Sequence, residues 1–165
     1  MVKEEKEKKV LETLEALGIN YVRHEHPPVY TVEEAEKYWE NIKGMHCKNL
    51  FLRNKKGNRH YLLILESKKK VDLRSLTVKL GEDRLSFASS ERLREHLGLE
   101  AGAVSPFGLI NDMKKEVKVL IDHDLKNAEW VNFHPNVNTS TVGISFNDFE
   151  RFLRFCGNRI RYLSL

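Results

Sequence analysis

The chain has little cysteine. Cys47 and Cys156 are the only two among 165 residues, which excludes a disulfide-stapled scaffold and argues for a reducing compartment. Long apolar runs are also missing. None approaches the ~20 residues needed to cross a bilayer, and the opening "MVKEEKEKKV" is too charged for a secretory leader. These absences imply a soluble, cytoplasmic protein with no membrane partner. Prolines number four and glycines nine, too few for a low-complexity or linker-rich chain. The ligand spacings of closed zinc frameworks do not occur: there is no C-x-x-C and no H-x-x-x-H, although His24, His26, His46 and Cys47 lie close in sequence. Neither phosphate-binding glycine signature is present, and no serine sits in a nucleophile elbow.

The length fits a single domain spanning residues 1–165. Such a domain buries about 70% of its unfolded surface and needs no staple. The formal charge of +4 is mild: it permits a polyanionic partner without demanding one. Basic residues cluster in "RNKKGNR" (53–59) and "KKK" (68–70), either as a nucleic-acid footprint or as solvated turns. The wealth of Lys, Arg and Glu also suits a thermophilic surface.

Periodicity predicts the elements. Val10, Leu11, Leu14 and Leu17 form a helical stripe stopped by Gly18. "YVRHEH" alternates as a strand, and Pro27-Pro28 ends it. Thr31 and Glu34 make a capping box before "EEAEKYW". "NLFLR" and "HYLLILE" are strands joined by the turn "NKKGN", and the second, continuously apolar, is expected to be covered on both faces. Further on come the helix "DLRSLTVKL", the strand "LSFAS", and a helix "ERLREHL" capped by Ser90. The strands "EVKVLIDHDL", "EWVNFHP" and "STVGISF" follow, then a helix opened by Asn147 and Glu150, and a final strand "IRYLSL". The mix is α+β.

Three stretches carry candidate chemistry. In "GMHCKNLFL" (44–52), Lys48 and Asn49 stand at an expected strand end beside Cys47. Neighbours in a strand point to opposite faces, so His46-Cys47 does not make a nucleophile–base pair by adjacency, and Cys47 reads as packing. In "GAVSPFGL" (102–109), Gly102 permits close backbone approach and Pro106 fixes a turn. In "NFHPNVNTSTVGIS" (132–145), His134 precedes Pro135 and is biased to extended backbone.

In this order and spacing, "HCKNLFL", "GAVSPFGLIND" and "NFHPNVNTSTVGIS" resemble the prolyl-tRNA-synthetase-associated editing domains of the YbaK-type fold. Within that family the chain is most similar to the free-standing ProX/PrdX-like branch, and "KKVDLRSL", "LSFASSERL" and "FLRF" fit as well, so the likeness runs from about Leu11 to the end. The resemblance implies a compact domain with a mixed, barrel-like sheet flanked by helices. It implies a trans-editing aminoacyl-tRNA deacylase, with alanyl-tRNA(Pro) as expected substrate. Cysteinyl-tRNA(Pro) deacylation, or an inactive module that binds tRNA or a synthetase, are the alternatives. The family's essential lysine falls on Lys48, with Asn49, Gly102 and His134 as its companions. Ala103, Ser105, Pro106 and Phe107 are expected to shape the amino-acid pocket. Ala103 and Ser105 stand where the family favours serine and threonine, and Asn136 where it favours an apolar residue. Hydrolysis of an activated ester requires neither cofactor nor metal, so none is expected. The implied partner is the acceptor end of mischarged tRNA(Pro), with prolyl-tRNA synthetase as a second candidate.

Overall fold

The structure is a computed structural model that describes residues 2–165. Eight strands form one mixed sheet. They are β1 (Val22–Glu25), β2 (Met45–Asn54), β3 (His60–Glu66), β4 (Leu85–Phe87), β5 (Val117–Asp122), β6 (Trp130–Phe133), β7 (Ser140–Ser145) and β8 (Ile160–Leu163). The order across the sheet is β1-β7-β6-β2-β3-β5-β8, with β4 beside β2. The expected barrel-like closure is not present: β1 and β8 are unjoined edges. Three pairings, β2–β6, β3–β5 and β5–β8, are parallel. The remaining four are antiparallel.

Five helices cover the sheet: α1 (Lys3–Ala16), α2 (Val32–Trp39), α3 (Leu73–Leu80), α4 (Ser90–Leu97) and α5 (Phe146–Cys156). The continuous apolar run of β3 has the meaning expected of it. Leu62 and Ile64 enter the main core with Val10, Leu14, Leu93, Leu97, Phe149 and Phe152 from α1, α4 and α5. Tyr61, Leu63 and Leu65 enter a smaller core with Leu76 of α3 and Leu163 of β8. Alternation along one strand thus feeds two cores.

Local chemistry sets the boundaries. Thr31 Oγ1 accepts the Glu34 N–H at 3.1 Å, as the capping box requires. Asp72 caps α3 and Gly81 closes it in a left-handed conformation. Two caps differ from expectation by a short slide of the chain. Ser89 rather than Ser90 accepts the Arg92 N–H. Ser145, not Asn147, accepts the Asp148 N–H and opens α5. In both cases an earlier hydroxyl with extended backbone was available, and the cap falls on the first such residue. β5 is shorter than its apolar pattern, because Asp122 caps a 3-10 turn over His123–Asn127.

At the far end of β3, His60 is buried between Phe51, stacked at 5.5 Å, and His96 at 4.1 Å. Arg92 Nη1 donates to His60 Nε2 at 3.0 Å. Burial, then the His96 and Arg92 charges, push the His60 pKa down to about 4. Its folded value lies below the unfolded one of about 6.5. The stabilisation is therefore complete above that value and lost as pH falls toward 4, at up to about 1.4 kcal/mol per pH unit. Chemical denaturation between pH 7 and 4 checks this: the slope of stability against pH is expected to flatten in His60→Phe.

Candidate functional site

The site begins where β2 changes partner. β6 pairs with β2 only at Met45 and His46, and β4 pairs with it only from Leu52 to Asn54. Between them that edge of β2 has no strand beside it, although β3 pairs with the other edge throughout. A cleft of about 220 Å³ opens there. Its walls include Lys48 and Asn49 of β2, Gly102 and Val104 of the following loop, His134 past the end of β6, and Val29 to Val32, Ala35 and Trp39 around α2.

The expected strand end at Lys48 is corrected: β2 starts at Met45, so Lys48 and Asn49 lie inside a ten-residue strand. Apolar patterning could not find this start, because of Met45 to Asn49 only Cys47 is buried, and pairing with β3 and β6 carries the segment. Lys48 and Asn49 leave the strand on opposite faces, and both border the cleft because it lies at the strand's open edge. Asn49 Nδ2 donates to the Val104 carbonyl at 3.3 Å and ties the loop to the sheet. Its Oδ1 is buried without a partner. Among the described residues Lys48 carries no ion pair or hydrogen bond, and it is the only formally charged residue on the cleft wall.

Gly102 has φ +88°, and a Cβ there would lie 3.0 Å from Tyr30 Cδ1. The Ala103 N–H is taken by the Glu100 carbonyl at 3.1 Å. No backbone acceptor among the described residues takes the N–H of Gly102 or Val104. Ser105 is buried and its Oγ accepts the Phe107 N–H at 3.1 Å, capping a 3-10 turn over Pro106–Asn111. Phe107 packs edge-on against Phe133 and Phe152 in the core. Thus Lys48, Asn49, Gly102 and His134 come together, whereas Ala103, Ser105, Pro106 and Phe107 stand behind the wall and hold the loop in shape.

His134 Nδ1 donates to the Ser140 carbonyl at 2.9 Å, which leaves Nε2 as an acceptor. Burial lowers its pKa, and the nearby His26 adds to that effect. His134 is therefore neutral near pH 7. His26 is oriented in turn: Nδ1 donates to the Pro27 carbonyl, Nε2 accepts from Thr141 Oγ1, and the ring stacks on Tyr38. Burial pushes the Cys47 thiol far up, out of the thiolate range. Cys47 is buried and belongs to the main core, at the cleft's edge. Among the described residues no group of three or more His, Cys, Asp or Glu side chains gathers as metal ligands, and no helix is long and apolar enough to cross a membrane.

The aminoacyl-tRNA editing domain model matches residues 26–152. The chain belongs to the aminoacyl-tRNA editing domain family. This editing domain is 45% identical over 157 residues to the prolyl-tRNA editing protein ProX of Acetoanaerobium sticklandii, covering 94% of this chain and 95% of that protein. It is 35% identical over 149 residues to the Bos taurus prolyl-tRNA synthetase associated domain-containing protein 1, covering 88% of this chain and 86% of that one. In fold it matches a crystal structure described as "a putative trans-editing enzyme for prolyl tRNA synthetase", with TM-score 0.71, 24% identity and 97% coverage of both chains.

The sequence reading missed the α2 side of the editing domain's cleft. The capping box located that helix, but nothing in its spacing marked Val32, Ala35 and Trp39 as cleft residues. Trp39 is held there by stacking on His46, with ring centroids 4.4 Å apart. Gly102→Ala tests the loop geometry. The left-handed backbone and the Tyr30 contact are expected to cost about 1–2 kcal/mol of unfolding free energy, measured by urea denaturation.

Proposed function

We propose that this editing domain is a trans-acting hydrolase that cleaves the aminoacyl ester of mischarged tRNA, with alanyl-tRNA(Pro) as its substrate. The observation that carries the reading is the meeting of Lys48, Asn49, Gly102 and His134 around one cleft in a chain of this family. The names of the relatives, which refer to prolyl-tRNA editing and to prolyl-tRNA synthetase, support tRNA(Pro) as the carrier and the synthetase as a partner. The work of such an enzyme belongs in the cytoplasm, and two reduced, buried cysteines suit it.

The physical need is plain. A site built for proline cannot exclude the smaller alanine by size, and loss of a methylene's worth of contact discriminates by only about 1–3 kcal/mol. A second sieve that admits the alanyl group and rejects the prolyl ring supplies the rest. The aliphatic walls from Val29, Val32, Ala35 and Val104 suit a small acyl side chain.

Each residue has a role suited to its chemistry. Lys48 reaches over the open edge of β2 on its flexible stem and holds the terminal phosphate or the ester region by charge. The unclaimed N–H groups of Gly102 and Val104 donate to the oxyanion as it develops. Asn49 fixes the loop through Val104 and offers Oδ1 to the substrate's ammonium or to water. Neutral His134 positions water through Nε2, and the ribose hydroxyl beside the ester assists. Tyr30, 66% exposed at the rim, offers a face on which the terminal adenine stacks, worth about 1–3 kcal/mol. Ala103, Ser105, Pro106 and Phe107 set the pocket's shape from behind.

Release of alanine from alanyl-tRNA(Pro), compared with cysteinyl, seryl and prolyl esters, tests this. Wild type is expected to clear the alanyl ester and spare the prolyl one. Lys48→Ala is expected to lose on the order of 10²–10³ in kcat/KM while remaining folded. A wild-type rate no better than background, or an unimpaired variant, overturns the proposal. Binding of tRNA without turnover of any ester would assign the protein to a binding role instead.

A further inference from the structure

A second depression, of about 290 Å³, is lined by Lys6 and Lys9 of α1, Arg94 of α4, Gly98, Glu100, Asn111 and Asn136. Three cations face it against one carboxylate. The groups are held in place: Lys9 Nζ donates to Asn111 Oδ1 at 2.8 Å, Asn111 Nδ2 donates to the Leu97 carbonyl at 2.8 Å, and Arg94 Nη1 donates to Glu100 Oε2 at 3.2 Å. Asn136 is the unusual member. It is 3% exposed, has φ 63°, and its Oδ1 is buried without a partner. An unsatisfied buried amide costs about 1–3 kcal/mol, and the left-handed backbone adds to that. Oδ1 is an acceptor and offers an anion nothing, so any attraction for one comes from Lys6, Lys9 and Arg94, and Asn136 only keeps this wall neutral.

Its position gives the depression a meaning. Glu100 lies two residues before Gly102, and Asn136 two residues after His134. Gly102 and His134 both border the cleft, so the same two loops wall both hollows, with at most about 7 Å of chain between them along each loop. The larger polar depression near His60 lacks this character. There Arg59, Arg92 and Lys118 are matched by Glu91, Glu95 and Glu116, and it lies at the opposite end of β3 from the cleft.

We propose that the Lys6–Lys9–Arg94–Asn136 depression holds a backbone phosphate of the RNA strand whose 3′ end enters the cleft. This rests on the tRNA reading above and names the contacts that reading leaves open. The arginine fork and two lysine ammoniums neutralise the phosphate and release its counterions. The contact sets how far the 3′ end advances toward Lys48.

The test is the salt dependence of binding, by fluorescence anisotropy, of an uncharged RNA minihelix ending in CCA. Lys6→Gln, Lys9→Gln and Arg94→Gln are each expected to weaken binding several-fold and to reduce the log–log salt slope by about 1. Asn136→Asp keeps the shape and tolerates the backbone but brings a negative charge, and is expected to weaken binding at least tenfold. If it fails to fold, the three surface cation variants decide. Folded cation variants with unchanged affinity and slope overturn the proposal, as does a wild type that does not bind the RNA. Inorganic phosphate is titrated separately, with backbone amide NMR shifts as the readout. Shifts at Lys6 and Lys9 with phosphate but not with RNA mean that the site serves a free anion, and the proposal falls. Loss of affinity and slope in the variants of a protein that hydrolyses no ester upholds this site and overturns only the deacylase reading.

Discussion

The parting of β2 from β6 is the constraint on which the site depends. β6 ends at Phe133 because the next residues cannot continue a ladder. His134 turns its ring back to the Ser140 carbonyl, Pro135 has no N–H to give, and Asn136 adopts a left-handed backbone. β2 runs on alone along that edge until β4 joins it at Leu52. A free strand edge inside a folded protein must be covered or used. Here the Gly102–Val104 loop comes to it, and the hydrogen bond from Asn49 to the Val104 carbonyl holds the two together. The cleft is the space left between them.

Rigid packing stands behind this opening. Phe107 leads the loop's downstream end into an aromatic cluster with Phe133, Phe149 and Phe152, and the Ser105 cap sets the turn that takes it there. The loop's small residues are therefore placed by the core, and the N–H groups of Gly102 and Val104 are left without a backbone acceptor among the described residues. Electrostatics then concentrate on one group. His134 is kept neutral by burial and the Cys47 thiol is kept protonated, so Lys48 is the only formal charge on the cleft wall among the described residues. A lone cation beside low-dielectric walls acts more strongly on a developing anion than it would in water.

Much of the architecture was legible in the chain. Period-3.6 stripes, the Thr31–Glu34 box and the stop at Gly18 placed helices, since each signal is local and acts within one turn. The double burial of β3 was readable because both faces were apolar. The start of β2 was not, since Met45 to Asn49 are held by neighbouring strands rather than by an apolar pattern. Closure of the sheet was not either: a strand order is a set of long-range choices, and β1 and β8 show no edge signal that distinguishes them from a joined pair. For the site, the three motifs named Lys48, Asn49, Gly102 and His134. Ser105 and Phe107, adjacent in the same motif, are buried behind the wall, because a motif records which residues travel together and not which way each side chain turns.

Short stretches of the chain were enough for the α+β class, most element boundaries and the family, because capping, periodicity and motif order are local properties. The three-dimensional packing keeps the sheet open, sets Lys48 and Asn49 at a strand edge rather than a strand end, and brings α2 to the cleft. It alone brought Lys6 and Lys9 beside Arg94 and Asn136. Those outcomes turn on which distant segments meet, and that is settled by burial across two cores rather than by any residue's own preference.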